Sequence, residues 1–163
     1  MADEQALDLP GWTRRIIPEA QVSIAVNSTW PLLWQANVAY QTFGSDNGAL
    51  SIHWGESATM EWFLAHTGVG SLGHTRVIDE DRLVQIDELV ARRVRLRVIS
   101  KAHGTAIDAA QDEGETIFVT VAFAVRGGPV RVGYRLPSSE RAEFEPLLER
   151  VLAGVRPTCH END

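Results

Sequence analysis

Four arginines fall within the eleven residues Val90–Ser100, "VARRVRLRVIS", of a chain whose formal net charge is −7. Arginine presents a planar fork of donors that matches a carboxylate or a phosphate, so a row of arginines is a recognition surface for an acidic partner. Arg93, Arg95 and Arg97 recur every second residue, and Arg131 and Arg135 do so again in "VRVGYRL". With a strand at 116–125 between them, Thr120, Ala122 and Ala124 would make a floor of small residues flanked by two basic rows. The alternative is a wet face neutralised by the chain's own acids, those of "DEDR" or of the last helix. Exposed pairs of that kind contribute only about 0–1 kcal/mol each.

The other reactive side chains point to less. Five histidines, His53, His66, His74, His103 and His160, contain no pair at metal-ligand spacing, so no metal and no other cofactor is expected. A hydrolase-type site would need His53, His66 and His74 around one cavity. Cys159 lies in a polar tail, where no fixed electropositive pocket can activate its thiol. "GVGSLG" lacks the preceding buried strand of a nucleotide fingerprint, and no nucleophile elbow is present. No catalytic residue is assigned. In "TWPLLW", Trp30, Leu33 and Trp34 would be an apolar anchor for a partner, or would fold back over the sheet edge. Trp54 and Trp62 are expected in the core.

Period-two alternation must position these groups. "QVSIAV" buries Val22, Ile24 and Val26. "ANVAYQTF", "GSDNG" and "ALSIHWG" predict a hairpin, with Val38, Tyr40 and Thr42 on one face of the first strand and Leu50, Ile52 and Trp54 on one face of the second. "ESATMEWFLAHTG" changes to helical spacing, with Ser57 as N-cap and Gly68 as stop. "GHTRVIDEDRLVQID" reads as strand, acidic turn, strand. In the arginine stretch Val94, Leu96 and Val98 oppose the cations. "ETIFVTVAFAV" is apolar on both sides, as a central strand is. The last segment places Phe144, Leu147, Leu148, Val151, Leu152 and Val155 along one helical stripe, with Pro146 either in the first turn or at a kink. These elements give an α+β fold: a mostly antiparallel six- to seven-stranded sheet, covered by a C-terminal amphipathic helix and by a second helix near 57–68.

A chain of 163 residues forms one domain that buries roughly 70% of its unfolded surface. The expected division is an N-terminal arm at 1–14, a single domain at 15–157 and a polar tail at 158–163. An acidic balance argues against nucleic acid as a partner. No run reaches the roughly 18 apolar residues of a membrane span, and "MADEQALDLPGW" lacks the apolar core of a secretory signal. One cysteine forbids an intrachain disulfide. A cytoplasmic protein follows, and fourteen arginines against one lysine suggest a GC-rich bacterial source.

Three stretches, "VSIAVNSTWP", "GSDNGALSIHWGES" and "VRVGYRLPSSERAEFEPLLERVLAGVRP", resemble the opening strand, the second hairpin strand with its helix, and the closing strand and helix of the Mog1p/PsbP-like proteins. The resemblance covers about 20–157. It implies an adaptor, chaperone or partner-binding subunit rather than an enzyme. Some bacterial relatives of that type are dimeric chaperones that cradle apolar segments of secreted effectors on the sheet face. It supplies no catalytic residues to carry over. The arginine rows depart from that pattern, since such a cradle should be more apolar. The functional expectation is a non-enzymatic protein-binding domain, an adaptor or chaperone of a bacterial secretion or injection system. A structural subunit of a larger assembly is the alternative, and a homodimer stays open. Its binding residues would be Arg93, Arg95, Arg97, Arg131, Arg135, Trp30, Leu33 and Trp34, against a protein partner of acidic character.

Overall fold

Alternating side chains carry most of this chain into strands. The computed structural model describes residues 9–44, 48–67, 74–100 and 114–158. Among them run β1 (Trp12–Ile17), β2 (Val22–Asn27), β3 (Leu32–Gln35), β4 (Val38–Phe43) and β5 (Gly48–Trp54), then helix α1 (Met60–His66). β6 (His74–Ile86), β7 (Leu89–Ser100), β8 (Gly114–Val125) and β9 (Gly128–Pro137) follow, then α2 (Arg141–Ala153) and the short β10 (Arg156–Pro157). Seven strands form one antiparallel sheet in the order β3-β4-β5-β9-β8-β7-β6. The expected α+β class and seven-stranded sheet are therefore present. A separate sheet, β1-β2-β10, was not foreseen.

The ladder registers define two faces. Ile117, Val119 and Val121 of β8 stand beside Leu136, Tyr134 and Val132 of β9, and the row continues to Leu50 and Ile52 of β5. α2 lays Leu148, Val151 and Leu152 on this face, and the small sheet adds Ile17, Val22 and Ile24. Each such side chain, fully buried, contributes about 1.5–3 kcal/mol. The opposite face carries Val94, Leu96 and Val98, against which α1 packs Met60 and Phe63. The sheet is covered by one helix on each side, but α1 is short and leaves the β4–β5–β9 half open.

Several local expectations need correcting. β1 begins at Trp12, inside the stretch expected to be an arm; four of its six residues are exposed, which hid the strand from the pattern. "RVIDEDRL" is no turn but the middle of β6, bulged between Ile78 and Glu80. Its acids stay in a strand because arginines of β7 stand opposite. The cap of α1 is Thr59, whose hydroxyl accepts the Trp62 N–H at 3.1 Å, while Ser57 lies in a 3-10 turn at Glu56–Ala58. Pro146 sits in the second turn of α2, not the first, so the Ala142 carbonyl lacks its usual helical donor. Val38, Tyr40 and Thr42 share one face of β4 and Leu50, Ile52 and Trp54 one face of β5, as expected, and the two sets lie on opposite faces of the sheet because Val38 and Tyr40 pair with His53 and Ser51. Gly68 lies outside the described residues.

Candidate functional site

The two arginine rows do not form one surface. Arg93 and Arg95 pair across the ladder with Val121 and Val119, which puts them with Arg97 on the α2 face. Arg131 stands between His53 and Ala122, so it lies with Arg135 on the α1 face, together with Thr120. The rows are back to back. β8 is apolar on both sides, so alternation alone could not say which of its faces each row joined.

On the α2 face the arginines hold acids of the same chain. Arg93 reaches Glu80 at 3.0 Å and Glu149 at 2.9 Å. Arg95 binds Glu145, which also takes Arg141 at 2.7 Å. Arg97 bridges Asp79 at 2.6 Å and Glu115 at 3.0 Å. On the opposite face Arg92, beside Ala122, forks onto Asp81. The α2-face partners are Asp79 and Glu80 of β6, Glu115 of β8, and Glu145 and Glu149 of α2. Hydrogen bonds from Arg97, Arg82 and Arg92 hold Asp79, Glu80 and Asp81 below the usual carboxylate range. Burial would lower Arg93, but its bonds to Glu149 and Glu80 outweigh this and raise it. Burial, then the bond to Glu149, pushes the Tyr134 hydroxyl up. The lattice clamps α2 to β7 and β9.

The expected apolar anchor divides in the same way. Trp30 turns inward, stacked on Phe43 at 4.8 Å and edge-on to Trp12 at 5.1 Å. Leu33 and Trp34 remain 41% and 45% exposed on β3. They point to opposite faces, and Trp34 leans on Trp54 at 6.3 Å. Trp62, expected in the core, is exposed. β3 is one edge of the large sheet and has no charged residue; β6, the other edge, carries Asp79, Glu80, Asp81 and Arg82 in its middle.

The open half of the α1 face holds a cavity of about 420 Å3. Its walls are Tyr40, Trp62, Phe63 and Phe118, and its polar lining includes Ser51, His53, Thr120, Arg131 and Arg135. Gly133 adds no side chain to it, and cannot: a Cβ there would stand 2.9 Å from the Thr120 Cα and nearer still to the Val119 carbonyl. Arg131 is only 5% exposed. Its Nη2 donates to the Ser57 carbonyl at 3.0 Å, and its guanidinium lies 5.0 Å from the Phe63 ring centre and 5.8 Å from that of Trp62. The buried Nε has no hydrogen-bond partner. Desolvation brings Arg131 down to about 10, still charged at neutral pH. Burial, and then the nearby Arg131 charge, pushes His53 down to about 4, so its imidazole is neutral.

His53 and His66, the histidines whose side chains are described, do not converge. His53 lines the cavity, whereas His66 is stacked on Trp62 at 4.0 Å and bonds the Trp62 carbonyl at 2.7 Å. The His74 side chain, His103, Cys159 and His160 lie outside the described residues. Among the described residues no cluster of histidine, cysteine, aspartate or glutamate is placed to hold a metal, and no helix is long and apolar enough to cross a membrane. The juxtaposition of His53 with Arg131 was missed from sequence. Their shared parity was visible, but the pairing of β5 with β9, some eighty residues apart, was not.

No family model matches the chain, and no curated protein matches it. Solved structures do. Cyanobacterial PsbP (CyanoP) from Synechocystis sp. superposes with a TM-score of 0.60 at 11% identity, over 93% of this chain and 95% of that one. The Ran-binding protein Mog1p of Saccharomyces cerevisiae gives 0.53 at 7% identity, over 91% and 96%. A Bacteroides thetaiotaomicron protein gives 0.52 at 12%, over 94% of this chain and 50% of that one. At such identities the likeness is one of architecture: this chain has the Mog1/PsbP-like fold.

Proposed function

We propose that the chain is a non-enzymatic domain that binds a protein partner, as a cytoplasmic adaptor or chaperone of a bacterial secretion or injection system. The outer edge of β3 carries this reading. Among the described residues no strand pairs with it, and it is uncharged and apolar where the β6 edge is blocked by charge. A segment of the partner would add along β3 as a further strand, with Leu33 and Trp34 as anchors on its two faces. The fold supports the reading, since Mog1p is described as a Ran-binding protein. The acidic character expected of the partner draws no support from the α2-face arginines, which already hold acids of this chain.

The test is capture of the partner from producing cells by the wild-type chain and by Leu33→Lys and Trp34→Lys. Each variant should keep the wild-type circular dichroism and lose about tenfold or more of the captured partner. Undiminished capture by both variants would remove β3 from the proposal. A shift to dimer mass in the wild type alone would identify the partner as a second copy.

A further inference from the structure

Arg131 is the feature that strand docking leaves unexplained. A buried cation is costly unless it is paired. The α2-face arginines each have carboxylates, but among the described residues Arg131 has only a carbonyl and two aromatic rings. Its Nε–H is buried and unsatisfied. Among the described residues, no aspartate or glutamate lines the cavity. His53 beside it is neutral, so the buried lining holds one positive charge; Arg135, with interactions of its own, is exposed at the margin.

We propose that this cavity binds a small organic monocarboxylate with an apolar or aromatic body. The carboxylate would sit against the Arg131 guanidinium where it lines the cavity, and the body would lie against Tyr40, Trp62, Phe63 and Phe118. The one buried cation is matched by a single carboxylate, while Arg135 at the margin is exposed and has interactions of its own. A volume of about 420 Å3 lies in the range of small-molecule sites and is larger than a single acidic side chain of a docked protein would fill. Ser51 and Thr120 offer hydroxyls for a further polar group on the ligand. The cavity reaches towards β3 through Tyr40, which pairs with Leu33, but Arg131 lies on β9, three strands from that edge, and neither proposal depends on the other.

The test titrates the full chain at neutral pH with 3-phenylpropionate and with its uncharged isostere 3-phenylpropionamide. The acid should bind saturably and at least about tenfold tighter than the amide, because only the acid neutralises the guanidinium charge. Arg131→Met should bind the two alike. Should that variant fail to fold, the wild type still decides: the Trp62 indole and His53 ring resonances must move with the acid and far less with the amide. Equal affinities for the two probes in the wild type, no saturable binding of the acid, or resonance changes confined to residues outside the cavity would overturn the assignment.

Discussion

Arg95 shows how a single side chain can be read correctly in direction and wrongly in role. Its parity along β7 was plain in the sequence, and so was the existence of acids able to meet it. What could not be read was that the face it points to is roofed by α2. Arg95 and Glu145 are both mostly shielded from water, and Glu145 keeps Arg141 if Arg95 is lost. Arg95→Met should therefore cost about 1–3 kcal/mol in denaturant unfolding, less than the removal of one partner from a fully buried, isolated pair. His53 offers a pH readout. Its ordinary value of 6.5 falls to about 4 in the folded chain. Between those values the unfolded state binds the proton and the folded state does not, so stability falls as pH drops through that window. The loss has an upper limit of about 1.4 kcal/mol per pH unit. Comparison of the wild type with His53→Asn between pH 6.5 and 4 isolates it: the variant should show the shallower decline. The acids held by arginines are lowered from their ordinary values, so their contribution also declines as the pH falls, and it is common to both proteins.

Elements were legible where one periodicity ran long enough. The stripe from Phe144 to Val155 announced α2, and Leu148, Val151 and Leu152 are buried as the spacing required. β6 was misread because three acids in a row look like a turn until the facing arginines are known. β1 was missed because a strand exposed on most of its length has no pattern to show. Gly133 is a position at which an element depends on a missing atom. β8 and β9 come so close there that Gly133→Ala should cost about 1–3 kcal/mol by overpacking, read as a lowered midpoint with unchanged slope in urea. The same substitution at Gly128, where an added Cβ meets nothing but φ is +127°, tests backbone conformation without crowding.

At the scale of the molecule, an aromatic cluster ties the layers together. Phe43 of the large sheet stacks on Trp30 and touches Phe144 of α2, and Trp30 meets Trp12 of the small sheet. We propose that both sheets and α2 melt as one unit within 15–157, with β1 included from Trp12. Phe43→Ala should then lower the stability of the whole by about 3–5 kcal/mol, and tryptophan fluorescence and far-ultraviolet circular dichroism should still report coincident transitions. Separate transitions would show that the small sheet is autonomous. The unequal margins of the large sheet also limit lateral growth. If two copies met through β3, each would consume its one receptive side, and the carboxylates and guanidinium along β6 would repel a third. Self-association by that route would end at a closed pair, with no ribbon or fibre to follow.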